Sequence, residues 1–409
     1  MVILKKKKIK KVVQKIFKKK KVISKKKTVS KKKVFVKKKV ILKKKIVIKK
    51  KIVKKVIKKI TKKVIKKKIV VSPLKLVRAT NNPIISPSHY PNWESVATFN
   101  PSAVEHDGKV HIIYRAIGVG DTSALGYALS LDGESIIEKS GMPVFTRVYV
   151  KTNKKNKPIS YVSGGGWSGG CEDPRLTLIN GKVYMLYTAF DGWGSVRIAL
   201  TSITLRNLIL KNWAWKKSVM ISPPGEVQKN WVIFPEKING KYAILHAISP
   251  EIMIDYVESL DAFDGKKFIH SLHQDSPLWQ LRDRGIRGVG PAPIKTKYGW
   301  LVLYHAMEQN DPNRYKLFAM ILDEKDPKKV LYRSRESVLA PDEWYENNGH
   351  KWGVVYCCGA VVKSGKLFVY YGGADTVACV ATAKLDDFLN ELIKNISAKF
   401  STQEVKKKK

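Results

Sequence analysis

Five copies of one short pattern recur along this chain, and they constrain its fold more than any other feature. Each copy is a glycine turn followed by an alternating apolar strand that ends in Tyr or His. The copies are EHDGKVHIIYRA (105–116), LINGKVYMLYTA (178–189), KINGKYAILHAI (237–248), KTKYGWLVLYHA (295–306) and VKSGKLFVYYGG (362–373). Their glycines lie roughly 60–70 residues apart, and a long, regular period of this kind indicates an array of similar structural units.

The repeated unit is predicted to be a β-hairpin. Glycine adopts positive φ without steric cost, so a glycine between two apolar runs is typical of a tight turn between paired strands. Five such hairpins predict an all-β fold with five sheets around an axis, a five-bladed β-propeller. The alternative is a β-sandwich in which the hairpins recur by coincidence.

The N-terminal 72 residues differ from the rest of the chain. They contain 35 of the 79 basic residues, and the first acidic residue is Glu94. The formal net charge of +46 therefore belongs mainly to this segment, and the remaining chain is near +11. We predict a lysine-rich, low-complexity extension over 1–72 and a propeller domain over 73–409, with Ser72-Pro73 at the boundary.

The extension has two interpretations. Apolar residues between 52 and 65 recur at helical spacing with lysines on the other face, a pattern that anionic membranes or nucleic acid can attract. Alternatively, dense like charge and low complexity oppose a packed core, which predicts a disordered segment without a specific role.

Four cysteines provide no disulfide framework for a chain of 409 residues, and they form no CxxC pair typical of zinc sites. The sequence shows no signal peptide and no apolar run long enough to span a bilayer. We therefore expect reduced thiols and a cytoplasmic location. Neither a metal site nor an organic cofactor is predicted, because the histidines are scattered and no P-loop or dinucleotide-binding fingerprint is present. The sequence is also compatible with a homo-oligomer.

Each repeat follows a segment that we predict to be the neighbouring, innermost strand. These segments are FNPSAV (99–104), CEDPRLTL (171–178), NWVIFPEKI (230–238), VGPAPIKT (289–296) and CCGAVV (357–362). In a propeller the innermost strands line a central channel, so polar residues at their ends converge. The residues expected there are Asn100, Arg115, Asp173, Arg175, Lys229, Asn230, His246 and His305.

The strongest local motif is GGGWSGGCEDPR (164–175). Its glycines allow close approach of the backbone to a ligand, and Arg175 is placed to orient Asp173 or to bind an anion. A carboxylate in a lined channel can serve as a general acid. The alternative is that Glu172 and Asp173 form only structural caps and ion pairs.

These stretches together resemble glycoside hydrolase family 130, the β-mannoside phosphorylases and mannosidases. The resemblance runs from about residue 80 to 390 through FNPSA, YRA, GGCEDPRL, NWVIFPEKINGKY, GPAPIKTKYGWLVLYHA and CCGAVVKSGKLFVYYGGADTVACVATAKLDDFL. It implies a five-bladed propeller that cleaves β-mannosides with inversion at the anomeric carbon. Phosphorylases of this kind release α-mannose 1-phosphate, whereas hydrolases use water.

The resemblance also implies roles for individual residues. Asp173 matches the general acid, whose proton is thought to pass through the mannose 3-hydroxyl. Asn100, Arg115 and Asp375 match positions that bind the central sugar, and we assign Glu172 to substrate binding with them.

Inorganic phosphate is the expected co-substrate, and the chain departs from the family pattern at this site. Lys229 and His305 match phosphate-binding positions, but the family segment LHRP reads LHAISP, which places Ala247 where an Arg is common. Either Arg287 or another base compensates for the missing guanidinium, or the chain is a hydrolase. Arg175 is a further predicted phosphate-binding residue.

Three functions remain open on the sequence alone. The leading one is phosphorolysis of β-mannooligosaccharides. The second is hydrolysis by a β-mannosidase, which needs a carboxylate base, with Glu172, Glu236 and Asp255 as weak candidates. The third is a glycan-binding propeller without catalysis.

Overall fold

The computed structural model describes residues 74–147, 169–190, 196–271, 285–308 and 311–394. These residues form five antiparallel sheets, so the predicted five-bladed β-propeller is confirmed. The predicted extension over residues 1–72 lies outside the described residues. In the part of the chain that is described, no helix is both long and apolar enough to cross a membrane.

The blades follow one another along the chain. Blade 1 consists of β2 (Ala97–His106), β3 (Lys109–Ile117), β4 (Ala124–Ser130) and β5 (Ile136–Lys139). Blade 2 consists of β6 (Gly170–Ile179), β7 (Lys182–Phe190), β8 (Val196–Thr204) and β9 (Val219–Met220). Blade 3 consists of β10 (Val232–Ile233), β11 (Tyr242–Ala247) and β12 (Met253–Val257).

Blades 4 and 5 complete the propeller, and blade 5 combines the first and the last strands of the described chain. Blade 4 consists of β13 (Ile286–Val289), β14 (Ile294–Thr296), β15 (Gly299–Glu308), β16 (Asp311–Leu322) and β17 (Val330–Arg333). Blade 5 consists of β18 (Val355–Lys363), β19 (Lys366–Gly373), β20 (Val377–Lys384) and the N-terminal strand β1 (Val77–Arg78).

The ring closes where β1 pairs with β20, so that the start of the described chain completes the last blade. Arg78 reinforces this closure through two hydrogen bonds to the buried carboxylate of Glu346, at 2.7 and 2.8 Å. Glu346 also accepts a hydrogen bond from Tyr371 of β19. Two distant parts of the sequence are thereby joined by a charge-assisted contact.

Four of the five predicted hairpin turns have positive φ at both central residues, the geometry that suits the right-handed twist of paired strands. They are Asp107-Gly108, Asn180-Gly181, Asn239-Gly240 and Ser364-Gly365. At the fifth, Gly299 begins β15 with φ of 118°, and a Cβ there would lie 2.1 Å from the Leu322 carbonyl oxygen.

Alternation along the strands produces one hydrophobic core at each of the five blade interfaces. Successive side chains of a strand point to opposite faces, so one strand serves two cores. In β15, for example, Trp300 packs against blade 3 while Leu301 packs against blade 5. The other three interfaces join blades 1 and 2, blades 2 and 3, and blades 5 and 1.

Within the described residues, three short helices lie among the blades: α1 (Leu205–Ile209), α2 (Trp344–Asn347) and α3 (Leu385–Lys394). A single turn of 3₁₀-helix spans Leu260–Ala262. Helix α3 follows β20 and buries Phe388, Leu389 and Leu392 in the core between blades 4 and 5. The residues that carry the candidate site lie instead on the inner strands, on the neighbouring strands β3, β15 and β16, and in the loops beside them.

Candidate active site

The inner strands share an irregularity that places polar side chains in the channel. The strand register shifts in β2 between Phe99 and Ser102, and in β6 between Glu172 and Arg175. Equivalent shifts occur in β13 and β18. A β-bulge bends its strand and re-aims a side chain, which explains how strands that pack a core can also present polar groups.

At two of these bulges and at two other site residues, the backbone adopts a conformation that few residues tolerate. Asn100 and Asp173 have φ of 48° and 52°, Asn230 has φ of 66° just before β10, and Asp375 has φ of 51°. Asn and Asp are the non-glycine residues that enter this region most readily. The same residue types therefore satisfy both the backbone and the chemistry of the site.

One side of the site is a network of carboxylates and cations from blades 1 to 3, which we call the acid side. Arg115 donates to Glu172 Oε1 at 2.9 Å and to Asp173 Oδ1 at 3.2 Å. Lys229 donates to Glu172 Oε2 at 3.1 Å, and Asn100 donates to Asp173 Oδ1 at 2.7 Å. Among the described residues, Asp173 Oδ2 accepts no hydrogen bond, so one oxygen of this carboxylate is left for a ligand.

The acid side sets the protonation of Asp173. Burial alone would raise its pKa, but the charges of Arg115, Lys229 and Arg175 and the hydrogen bond from Asn100 lower the pKa to about 2. Asp173 is therefore a carboxylate near neutral pH in the ligand-free protein. Burial has the larger effect at Asp375 and raises the pKa of that group, although Lys351 and Arg115 oppose it.

The other side of the site supports its cations on aromatic rings and uncharged oxygens, and we call it the aromatic side. It consists of Arg175, Arg287, His305, Tyr315, Lys351 and Tyr356. The rings of His305 and Tyr356 stack in parallel with centroids 4.4 Å apart, and Tyr315 lies 6.1 Å from Tyr356.

Arg175 and Arg287 hold the two sides together. Arg175 donates to the carbonyl oxygens of Asp173 and Gly290, to Asn230 Oδ1 at 2.7 Å and to the Tyr356 hydroxyl at 3.3 Å. Arg287 donates to the Tyr315 hydroxyl at 2.9 Å and lies 5.7 Å from the centre of that ring. Asn230 in turn donates to the Arg287 carbonyl oxygen.

His305 is neutral in this arrangement. It is completely buried, and burial, with the nearby charge of Arg175, lowers its pKa to about 3. Its Nε2 accepts a hydrogen bond from the Cys357 backbone N–H at 2.8 Å, so the ring proton resides on Nδ1. His305 would meet an anion as an uncharged N–H donor.

The structure brings the predicted site residues into one connected group. Asn100, Arg115, Glu172, Asp173 and Lys229 share the acid side, Asp375 lies within their electrostatic influence, and Arg175, Arg287 and His305 share the aromatic side. Their individual roles stay predictions.

His246 does not join this group. Its Nε2 contacts Asp255 at 2.8 Å and its ring packs against Trp231, and within the described ranges it makes no hydrogen bond to a predicted site residue. Tyr315, Tyr356 and Lys351 were not predicted from the sequence. Tyr356 directly precedes the CCGAVV strand and could have been noticed, whereas Tyr315 and Lys351 belong to no recognisable motif.

Comparison with known proteins identifies the family. A family model described as beta-1,4-mannooligosaccharide phosphorylase matches residues 56–394. The chain belongs to glycoside hydrolase family 130. The predicted resemblance is thus confirmed, and with it the prediction of a carbohydrate-active enzyme.

Individual members of glycoside hydrolase family 130 match over nearly their whole length. A 1,2-beta-oligomannan phosphorylase of Thermoanaerobacter sp. (strain X514) is 35% identical over 77% of this chain and 99% of its own. A beta-1,2-mannobiose phosphorylase of the same organism is 36% identical over 75% of this chain and 96% of its own.

A solved structure adds a second activity to the family. It accompanies the finding that this family of mannoside phosphorylases contains glycoside hydrolases that target beta-1,2 mannosidic linkages in Candida mannan. It is 25% identical, with a TM-score of 0.58 over 76% of this chain and 94% of its own.

Proposed function

We propose that this protein cleaves β-1,2-linked mannooligosaccharides by phosphorolysis and releases α-mannose 1-phosphate. The two Thermoanaerobacter relatives support both the reaction and the linkage, since they are similar over the whole propeller. The observation in the structure that carries the proposal is the pairing of one carboxylate that keeps an open oxygen, on Asp173, with a group of cations on the aromatic side.

In the proposed reaction a phosphate oxygen attacks the anomeric carbon from the face opposite the leaving sugar. The bond from that carbon to the bridging oxygen breaks, and the bridging oxygen takes the proton delivered by Asp173. Asn100 and Arg115 fix the orientation of the Asp173 carboxylate, which is the positioning that such a transfer needs. The products are α-mannose 1-phosphate and a shortened oligosaccharide.

The low pKa of Asp173 links phosphate binding to proton transfer. A general acid must carry its proton, yet the surrounding cations keep Asp173 ionised in the free protein. Phosphate bound among those cations offsets their charge and adds a like charge, and both effects raise the pKa of a carboxyl group. The acid is then protonated when the co-substrate is in place, and phosphate supplies the proton that the leaving oxygen finally keeps.

The candidate bases for hydrolysis are engaged elsewhere in the structure. Both oxygens of Glu172 are bound by Arg115 and Lys229. Glu236 is half exposed and pairs with Lys295, and Asp255 is half exposed and pairs with His246. Glu172 therefore has no oxygen free of a buried cation with which to take a proton from water. This arrangement supports phosphate rather than water as the nucleophile.

The test is a product assay with and without inorganic phosphate. The full chain is incubated with β-1,2- and β-1,4-mannobiose, and mannose 1-phosphate and free mannose are measured. We expect mannose 1-phosphate from the β-1,2-linked sugar only when phosphate is present. Free mannose formed at a rate independent of phosphate would establish the hydrolase, and sugar binding without turnover would establish the glycan-binding function.

A further inference from the structure

An exposed tryptophan, Trp352, lies at the edge of the site, on the segment between β17 and β18. The Gly353 carbonyl oxygen accepts a hydrogen bond from the Tyr315 backbone N–H of blade 4 at 2.8 Å. The Lys351 backbone N–H donates to the carbonyl oxygen of Ala374, which follows β19 of blade 5, at 3.0 Å. Trp352 is therefore held between two blades by the residues on either side of it.

The residue before Trp352 acts on the predicted sugar-binding acid. Burial raises the pKa of Asp375, and the charge of Lys351 is the strongest influence that opposes this rise. Lys351 is therefore close to Asp375. Because consecutive Cα atoms are only about 3.8 Å apart, the backbone of Trp352 lies next to the site as well.

Two side chains of this segment contact two consecutive residues of β16. Lys351 Nζ lies 5.4 Å from the centre of the Tyr315 ring. The Arg314 guanidinium lies 6.0 Å from the centre of the Trp352 ring. Tyr315 is only 9% exposed, whereas Trp352 is 57% exposed, so the Trp352 ring lies on the solvent side of the Lys351 contact.

The Trp352 ring is supported by a cation that is itself held firmly. Arg314 donates to the Pro341 carbonyl oxygen and to Asp342 Oδ1, the latter at 3.4 Å, and it lies 3.8 Å from Asp311 Oδ2. A cation over an indole ring attracts it electrostatically. An arginine with three partners therefore fixes the ring in one orientation and leaves more than half of the Trp352 surface open to a ligand.

Exposure alone would not single out Trp352, because isolated exposed apolar residues are common on protein surfaces. Trp344, the first residue of α2, is 65% exposed. Its ring lies against the Tyr345 ring with centroids 5.7 Å apart, and no cation among the described residues lies over it. Trp352 differs from Trp344 in being pinned by Arg314 and in directly following a residue that acts on the site.

The proposed reaction determines where a longer substrate must extend. Release of mannose 1-phosphate transfers one mannosyl unit to phosphate, so every other unit belongs to the leaving sugar. The first two units flank the bond that is cleaved in the buried site, and a third unit therefore lies toward solvent. A sugar ring has faces of C–H groups that pack on an indole ring, and a ring already fixed in place loses little freedom on binding.

We infer that Trp352 forms a subsite for the third mannosyl unit of a β-1,2-linked mannooligosaccharide, counted from the unit that is transferred, and that it does so by stacking on the sugar ring. This inference rests on the proposed phosphorolysis and adds to it a residue that selects substrate length. A chain of three or more units is then a better substrate than the disaccharide.

Three variants test the inference through initial rates of mannose 1-phosphate release from β-1,2-mannobiose and β-1,2-mannotriose. Trp352→Ala removes the ring, Trp352→Phe keeps a smaller ring, and Trp344→Ala is the matched control. The quantity compared is the ratio of kcat/KM for the trisaccharide to kcat/KM for the disaccharide. We expect Trp352→Ala to lower this ratio by about 10-fold, an effect typical of truncating an aromatic anchor. Trp352→Phe should restore part of the loss, and Trp344→Ala should leave the ratio unchanged.

A second readout does not depend on turnover. Binding of the two sugars is measured by calorimetric titration in the Asp173→Asn background, with and without Trp352→Ala. We expect the trisaccharide to bind more tightly than the disaccharide in the first protein, and this preference to fall by about 10-fold in the second. The melting temperatures of the two proteins should agree closely, because Trp352 is exposed and contributes to none of the blade cores.

The outcomes separate the inference from the proposed function. An unmodified protein that forms no mannose 1-phosphate from either sugar would refute the phosphorylase, and the titrations would still test Trp352. An unchanged preference for the trisaccharide in Trp352→Ala, in both rate and affinity, would refute the subsite. Equal losses for the two sugars would also refute it, because Trp352 would then contact the first two units. An equal fall of the ratio in Trp344→Ala would likewise contradict a role specific to Trp352.

Discussion

The acid side and the aromatic side of the site hold their cations in different ways. On the acid side Arg115 and Lys229 are bound to the carboxylates of Glu172 and Asp173. On the aromatic side Lys351 and Arg175 lie against tyrosine rings. We predict that the carboxylate-bound cations of the acid side position the general acid, and that the aromatic side contributes to anion binding together with Lys229.

The largest effect is expected from removing the acid. Asp173→Asn keeps the shape of the side chain and its fit to a positive φ, but it carries no transferable proton. Loss of a general acid costs about 10²–10⁴ in rate. We expect kcat for phosphorolysis to fall by that factor, measured as the release of mannose 1-phosphate.

Asp107→Asn is the matched control for this variant. It makes the same chemical change at an exposed hairpin turn where the equivalent positions, Asn180 and Asn239, already carry Asn with φ near 50°. Its turnover should equal that of the unmodified protein. Turnover of Asp173→Asn within a few fold of the control would remove Asp173 from the mechanism.

The second-largest effect is expected on the stability of the buried ion pairs on the acid side. Glu172→Gln leaves Arg115 and Lys229 buried without their shared counter-ion. Breaking a buried ion pair by removal of one partner costs about 3–5 kcal/mol. We expect the free energy of unfolding, measured by urea denaturation, to fall by about that amount.

The exposed pair of Glu236 and Lys295 provides the comparison, because surface ion pairs contribute about 0–1 kcal/mol. Glu236→Gln should therefore change the free energy of unfolding very little. Equal losses in the two variants would show that the network around Glu172 is not the buried, mutually dependent unit described above.

A third prediction concerns how the free energy of unfolding depends on pH through Asp173 on the acid side. The pKa of Asp173 is about 2 in the folded protein, against an ordinary value of 3.8. A group with a depressed pKa stabilises the fold fully above its ordinary pKa, and this contribution disappears as the pH falls through the folded value. The stabilisation amounts to about 2 kcal/mol at 1.4 kcal/mol per pKa unit.

The measurement compares the unmodified protein with Asp173→Asn from pH 6 to pH 2. We expect the difference between their free energies of unfolding to change by about 2 kcal/mol below pH 4, with the unmodified protein losing more. Carboxyl groups remote from Asp173 titrate alike in both proteins and cancel in this difference. A difference that stays constant down to pH 2 would contradict the depressed pKa.

The sequence predicted the acid side better than the aromatic side, for a physical reason. Asp173 and Asn100 occupy bulges of the inner strands, where Asn-Pro and Asp-Pro pairs interrupt an apolar strand and are visible in the sequence. Tyr315 belongs to an ordinary alternating strand, and Lys351 to a loop between two blades. Their functional placement depends on blade-to-blade packing that no local pattern encodes.

The sequence also gave no sign of how closely the blades approach one another. A Cβ on Gly372 would lie 2.1 Å from Asn100 Oδ1, and a Cβ on Gly288 would lie 2.6 Å from Asn230 Nδ2. The hairpin glycines are recognisable in the sequence because each marks a turn between two apolar runs, and the five-bladed fold was predicted from them. These two glycines instead make room for a side chain from another blade, and only the assembled ring reveals it.

The smallest effect is expected from a hydroxyl on the aromatic side. The Tyr356 hydroxyl donates to Asn230 Oδ1 and accepts from Arg175. In Tyr356→Phe the stacked ring remains against His305, Asn230 Oδ1 still accepts from Arg175, and Arg175 still donates to two carbonyl oxygens. Since no buried group loses its last partner, the free energy of unfolding should fall by only about 1 kcal/mol.

Tyr298→Phe is the control, because the Tyr298 hydroxyl contacts only the exposed Asn390 side chain among the described residues and its loss is replaced by water. Its free energy of unfolding should change by less than that of Tyr356→Phe. A loss of 3 kcal/mol or more in Tyr356→Phe, as large as that expected on breaking the buried ion pairs of Glu172, would contradict the division of the site. Such a loss would mean that the contacts on the aromatic side are not redundant. Its cations would then depend on Tyr356 as strongly as Arg115 and Lys229 depend on Glu172.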